Sequence, residues 1–266
     1  MVDNIFNTKK LIQYKNSKIK DWNNHNFIYE KFSIHLLKKL NEIKSNVENV
    51  LLVTSDLYET LEQLEGFECK QIFFFSQYDE FLKYNKNDKR LVKLSGLFET
   101  ISFEENYFDL VIHNLSLNNL NKPQEHLTNI LHFLKKDGLF ICNFFGEKNL
   151  DELRKSLILT DNEIFNGVFP RIESSLKMVH VVDLLNRIGF KEIVSEVWDY
   201  KVFYNHTLTL LNDIRGIGEN TVFDKKSKGL KTKNYLKKLN EVYKENFTQD
   251  NKLISTCNIV SLTSFK

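Results

Sequence analysis

The sequence predicts an α/β protein built on a parallel sheet, and three features of one stretch carry that expectation. Phe108 to His113 is a short apolar, β-branched run, as expected of a strand buried on both faces. Leu127, Ile130, Leu131 and Leu134 then recur at helical spacing, with Pro123 suited to the first turn. Leu139 to Phe145 is the next strand. A strand–helix–strand of this size within one sheet is almost always right-handed and parallel. Lys135-Lys136-Asp137-Gly138 is expected to close the helix, with cations at its negative end and Gly138 as the left-handed residue.

The remaining elements follow in chain order. Residues 5–45 carry two helical patterns, the second being Phe32, His35, Leu36, Lys39, Leu40 and Ile43. They read as a packing cap on the sheet or as a lid over a ligand. Asn49 to Thr54 is the first strand. Asp56-Leu-Tyr-Glu59 resembles a capping box, so a helix is expected from there to about Glu65, ended by Gly66. Gln71 to Ser76 is the second strand, Tyr78 to Tyr84 a short helix, and Arg90 to Leu94 the third strand. Asp151 to Leu159 reads as a helix opened by acids, and a loop with Gly167, Pro170 and Arg171 follows. Val179 to Ile188 is helical, stopped by Gly189, and Glu192 to Phe203 alternates as a strand. A helical insertion then comprises Leu208 to Ile214, a Gly216/Gly218 turn, a basic loop from Asp224 to Lys233, and Tyr235 to Tyr243. Leu253 to Phe265 is the last strand. One unit results: a helical cap (1–47), a core (48–204), an insertion (205–250) and a final strand (251–266).

With 266 residues, 42% of them hydrophobic, the chain can bury a substantial core. Its 37 basic and 35 acidic residues give a net charge of +2, which offers no electrostatic case for nucleic acid or membrane surfaces. The apolar runs are strand-length, so no membrane span is expected. Residues 8–20 are basic but lack an apolar core and a small-residue cleavage site, and they read as part of the mature fold. Cys69, Cys142 and Cys257 are odd in number and widely spaced, which argues against zinc and disulfides and for a reducing cytoplasm. No Ser/His/Asp or metal constellation is apparent.

Phe108-Asp-Leu-Val111, Asn114-Leu-Ser-Leu117, Leu134-Lys-Lys-Asp-Gly138, Asp151-Glu-Leu-Arg-Lys-Ser-Leu157, Asp183-Leu-Leu-Asn-Arg-Ile-Gly-Phe190 and Asp213-Ile-Arg-Gly-Ile-Gly-Glu219 occur in one order. Together with the layout they resemble the class I methyltransferases. Within these, the likeness is to the group containing the mitochondrial complex I assembly factor described as an arginine hydroxylase. The malonyl-acyl-carrier-protein methyltransferase of biotin synthesis is a more distant relative. The resemblance implies a three-layer Rossmann-like sandwich with a mostly parallel, seven-stranded sheet, and S-adenosylmethionine as cofactor.

Such a fold normally places Asp-x-Gly-x-Gly-x-Gly after the first strand, where bare backbone lies against the methionine part of the cofactor. Here Leu52 stands at the acid position, and Thr54, Asp56 and Tyr58 stand at glycine positions, with Ser55 between them. Ser76 replaces the ribose-binding acid, and Leu97 stands where an acid would reach the adenine amine. Losing the ribose acid alone costs about 1.5–3 kcal/mol, and several such losses move a micromolar ligand to roughly millimolar. Tyr58, Phe74 and Phe98 are candidates to fill the vacated space. Asn114, at the end of the fourth strand, is placed to face a substrate. Arg154 could hold a carboxylate or phosphate, or pair with Asp151 or Glu152. Arg171 and Tyr204 could line the same cleft, with surface and core roles as their alternatives. His113 reads as a satisfied core histidine. Asp213, Arg215 and Glu219 read as a structural turn.

Three functions follow as expectations. One is a weakly active or inactive member of the assembly group that binds a partner, a respiratory subunit or an acyl carrier protein. The others are an active methyltransferase on a carrier-bound or small acid, and a protein arginine hydroxylase.

Overall fold

The structure, a computed structural model, describes residues 5–42, 46–83, 87–172, 175–219 and 232–266, apart from the Leu37 side chain. The apolar runs become the parallel centre of the sheet. β1 (Asn49–Thr54), β2 (Gln71–Ser76), β3 (Leu91–Ser95), β4 (Phe108–Asn114) and β5 (Leu134–Phe145) lie side by side in the order 3-2-1-4-5. β6 (Lys191–Tyr204) forms the far edge. β8 (Lys252–Phe265) runs antiparallel between β5 and β6. The seven expected strands are joined by an eighth, β7 (Thr248–Gln249), which forms a hairpin with β8. Asp250 and Asn251 supply its turn, with φ of 50° and 60°, the conformation that suits a two-residue hairpin.

The helices complete three layers. α1 (Thr8–Asn16) and α2 (Phe27–Glu42) form the cap, followed by α3 (Glu59–Gln63), α4 (Asp79–Leu82) and α5 (Pro123–Phe133). α6 (Asp151–Phe165) and α7 (Met178–Ile188) come next, and α8 (Thr207–Gly216) and α9 (Lys233–Asn246) form the insertion. Alternation along β1 shows how the layers are fed. Val50 and Leu52 pack with Leu36, Leu40 and Leu61, while Leu51 and Val53 face the cluster holding Leu127, Ile130 and Leu185. Each such side chain, fully buried, contributes about 1.5–3 kcal/mol. A third cluster, with Leu153, Leu157, Tyr235, Leu239 and Tyr243, joins α6 to the insertion.

Several expectations shift. α3 begins at Glu59 rather than Asp56, because Glu59 turns back to accept from the Leu57 and Tyr58 amides and holds those residues outside the helix. Gly138 is not the left-handed residue; Asp137 is, at φ 61°. α5 ends at Phe133, and Leu134 already pairs with Phe108 of β4, so Lys135 and Lys136 belong to β5. Gly138 answers a close approach instead: a Cβ there would sit 2.8 Å from the Lys135 carbonyl oxygen. α6 runs on to Phe165, well past Leu159. Residues 224–231 of the basic loop lie outside the described residues, whereas Thr232 caps α9 by accepting from the Tyr235 amide. Among the described residues, no helix is long and apolar enough to cross a membrane.

Candidate functional site

Parallel strands deliver their carboxyl ends to one rim of the sheet, and the strand order reverses between β1 and β4, the place where open α/β sheets bind ligands. The altered loop after β1 sits there, and its polar side chains turn inward. Asp56 accepts from the Thr54 hydroxyl (2.5 Å), the Thr60 hydroxyl, the Thr60 amide (3.2 Å) and the Asn114 amide group (3.1 Å). Asn114 also donates to Thr60 Oγ1 (2.7 Å) and accepts from Asn143 (2.9 Å). All five residues are buried. Asn114 is therefore a member of this network, with its side-chain amide engaged by Asp56, Thr60 and Asn143. Asp56 likewise points into the protein, not toward a ligand carboxylate.

Beside this network lies a second layer that sequence reasoning missed. α1, the turn before α2 and the first turn of α2 bring Lys15, Trp22 and Tyr29 against Tyr78, just after β2. Trp22, Tyr29 and Tyr78 are fully enclosed, and Lys15 is only 1% exposed. The Lys15 ammonium lies 5.3–5.6 Å from the three ring centroids. It donates to Glu219 (2.6 Å) and Tyr29 (3.1 Å), and the Tyr29 hydroxyl also donates to Glu219 (2.6 Å). Burial, then the Glu219 charge, holds the Tyr29 hydroxyl well above its ordinary pKa. Glu59 locks cap to loop: it accepts from Trp22 Nε1 (2.6 Å) and Asn26 (2.7 Å) on one oxygen and the two loop amides on the other. Burial and the neighbouring Asp56 push its carboxyl up to about 7.

The fillers are thus not the expected ones. Phe74 lies in the cluster on the opposite face, with Leu36 and Leu52. Phe98 is buried against Phe75 and Tyr78. Tyr58 is half-buried and donates to Asn23 of the cap (2.9 Å). Ser55 is buried, Ser76 uses its hydroxyl to accept from the Tyr78 amide (3.1 Å), and Leu97 is 42% exposed. None of these residues presents the acids or bare backbone that S-adenosylmethionine meets in the superfamily, and the loop's acid is already saturated with donors. The residues present do not fit the cofactor in its usual pose.

A separate cavity of about 120 Å³ opens beneath the cap, lined among others by His25, Asn118, Phe145, Arg154, Tyr204 and Asp213. His25 Nδ1 lies 2.8 Å from Asp213. Its ring fits because residue 216 is glycine: a Cβ there would fall 2.0 Å from His25 Cδ2. The Asp213–Glu219 turn is accordingly the receptor for the cap, gripping His25 and Lys15. Burial, then Asp213, raises the Tyr204 hydroxyl pKa. Arg154 donates to Ser175 (2.7 Å) and the Asn149 carbonyl (3.3 Å). Its proposed acids are engaged elsewhere, Asp151 with Lys155 and Glu152 with Thr256. Arg154 and Tyr204 do share the cavity. Arg171 does not line it. Arg171 forms a buried ion pair with Asp161 (2.7 Å) and stacks 4.8 Å from the Tyr235 centroid. His113 is fully buried as expected, 3.2 Å from the Ser116 hydroxyl.

Among the described residues, no three His, Cys, Asp or Glu side chains converge as a metal site. A family model described as "Methyltransferase domain" matches residues 59–142. The chain is 38% identical over 128 residues to the Rickettsia prowazekii protein described as "Putative methyltransferase RP459", covering 47% of this chain and 56% of that one. It is 34% identical over 149 residues to the human mitochondrial arginine-hydroxylase NDUFAF5 (55% and 43%). To the malonyl-[acyl-carrier protein] O-methyltransferase of Nitrosospira multiformis it is 25% identical over 150 residues (56% and 47%). The chain thus spans about half the length of the relatives it matches. Among solved structures, Bacillus subtilis YcgJ superposes with a TM-score of 0.62 at 10% identity, covering 89% of this chain and 98% of that one. A SAM-dependent methyltransferase from Archaeoglobus fulgidus gives 0.51 at 17% identity (89% and 94%). The chain therefore has the fold of the class I methyltransferases, and its residues 59–142 match a methyltransferase-domain family model.

Proposed function

We propose that this chain is a methyltransferase-fold protein of the complex I assembly type that acts by holding a partner protein, with weak or no cofactor chemistry of its own. One observation carries the reading. The rim where the superfamily binds S-adenosylmethionine is filled by the chain's own Asp56–Thr60–Asn114 network and by the Lys15 box. Reopening it means breaking several buried hydrogen bonds, each worth about 1 kcal/mol net, and exposing a desolvated charge pair. Similarity to the human arginine-hydroxylase supports the assembly type. The partner is then a respiratory-complex subunit or an acyl carrier protein, met in the cytoplasm, where the three free thiols persist. Isothermal titration with S-adenosylmethionine and S-adenosylhomocysteine tests the reading. No saturation below millimolar is expected, and a dissociation constant under about 100 micromolar overturns it.

The cavity beneath the cap favours a second reading, an active methyltransferase on a carrier-bound or small acid, with Arg154 and Tyr204 on its wall. The same titration separates the two. Arginine hydroxylation, the activity in the human relative's name, predicts an arginine 16 mass units heavier (about one oxygen atom) in a bound partner. Unchanged partner mass with and without this protein removes that reading.

A further inference from the structure

β6 is the terminal strand of the sheet, and among the described residues nothing pairs with its outer side. A bulge between Lys191 and Val194 blunts its beginning, but from Val194 to Tyr204 the register with β8 is unbroken. An open edge presents a row of unpaired N–H and C=O groups, which proteins usually guard with proline, bulges or charged side chains. Beyond its bulge β6 has no proline, and the two charges among its outward residues, Asp199 and Lys201, are of opposite sign. Trp198, Tyr200 and Val202 pack against the core. The alternate residues Ser195, Val197, Asp199, Lys201 and Phe203 are all exposed, Val197 by 49% and Phe203 by 44%.

We infer that β6 is the dimer edge of this protein, and that its occupant is β6 of a second copy, paired antiparallel about Tyr200 so that one sheet continues through both subunits. Two identical edge strands can pair in one sheet only about a two-fold axis normal to it. Residues directly opposite then share a face and are equally spaced from the central residue. Centring on Tyr200 sets Asp199 opposite Lys201 of the second copy, twice, and Val197 opposite Phe203 of the second copy, twice. Moving the centre to Asp199 or Lys201 sets that charge against itself. Moving it to Trp198 sets Val197 against Asp199. Among these registers, the one at Tyr200 alone joins both charge pairs and both exposed apolar pairs, and such cross-strand pairs are what select register. Lys201 makes no ion pair among the described residues, while Asp199 is held in place by Asn258 Nδ2 at 2.5 Å.

Sedimentation velocity over a micromolar concentration series tests this, with circular dichroism to check folding. The wild-type chain is expected to form dimers. Asp199→Lys or Lys201→Asp should each weaken association at least about tenfold, since like charges then meet at both crossings. An equimolar mixture of the two variants should re-form dimers, because opposite charges meet again at both crossings. Val197→Lys mixed with Phe203→Asp is a second complementary pair, independent of the Asn258 contact. A wild-type chain that stays monomeric at about 100 micromolar overturns the inference, as do single variants that dimerise like wild type, or mixtures that remain monomeric.

Discussion

Replacing Lys15 by Met asks how firmly the cap is seated on the rim. Methionine keeps the length of the side chain within the Trp22–Tyr29–Tyr78 box but removes the ammonium, so Glu219 loses this cation and, among the described residues, keeps the Tyr29 hydroxyl. Removing one partner of a buried ion pair costs about 3–5 kcal/mol. Glu219 is 19% exposed and regains some hydration, so the loss expected for Lys15→Met is about 2–4 kcal/mol. Glu219→Gln should cost at least as much, since it strands an ammonium that is only 1% exposed. The double variant removes both charges and should return to within about 1–2 kcal/mol of wild type, because neither charge is then left buried without its partner. Urea unfolding with linear extrapolation supplies the four free energies of the cycle. A coupling energy of about 2 kcal/mol or more is expected. Additivity within about 0.5 kcal/mol, the scatter of independent sites, would refute the claim that these charges depend on each other.

Two further outcomes follow from other buried titratable groups. Glu59→Gln, measured at pH 8 where the carboxyl is ionised, must turn an NH₂ toward either the Trp22/Asn26 donors or the Leu57/Tyr58 amides, so chemical unfolding should show a loss of about 2–5 kcal/mol from two unsatisfied donors; a change under about 0.5 kcal/mol would sink the view that it anchors the loop. Burial pushes the buried His126 down to about 4, from an ordinary value near 6.5, and drives His113 the same way. A depressed histidine stabilises the fold fully above pH 6.5, and that contribution is lost as pH falls through 4. The stability of wild type relative to His126→Gln should therefore decline by up to about 1.4 kcal/mol per pH unit across that window, and parallel curves would contradict the assignment.

The scaffold was legible in the sequence because its strands are apolar runs whose character does not depend on distant partners. β1, β2 and β4 fall where Asn49–Thr54, Gln71–Ser76 and Phe108–His113 place them. Boundaries slipped where tertiary demands took over. Arg90 stays out of β3 because its guanidinium binds Asp88 and the carbonyls of Leu64, Glu65 and Phe67. The end of α6 escaped notice because Ile164 and Phe165 are exposed, which breaks the apolar periodicity. At the site, loss of the glycines was readable at Thr54, Asp56 and Tyr58, but the direction those side chains take was not. Asp56 turns inward because Thr60 and Asn114 offer donors from a helix and a neighbouring strand. Lys15 was the least legible residue. It lies in a basic stretch that reads as part of the mature fold with nothing local to mark which lysine is buried, and its partner Glu219 is 204 positions away.

The two halves of the site argue in different directions, and their energetics explain how both persist in one fold. A cofactor loop of glycines is costly to order and offers the scaffold little packing, so a ligand's contacts help to hold it. Here the loop holds itself: Asp56 satisfies four donors, Glu59 four more, and Lys15 has its own acid. If opening this arrangement costs about 4–5 kcal/mol, a ligand that would bind an open rim at micromolar strength binds the closed one only at about millimolar. The cavity at His25, Arg154 and Tyr204 is not subject to that cost, since none of Thr54–Tyr58 lines it and filling it does not require the loop to move. Ligands or partners engaging that cavity leave the Glu59 contacts intact and meet the Lys15 arrangement only at Glu219, whereas those entering at Thr54–Tyr58 must first break the Glu59 and Lys15 contacts. Cap opening, followed through Trp22 by fluorescence, therefore distinguishes the two routes of engagement directly.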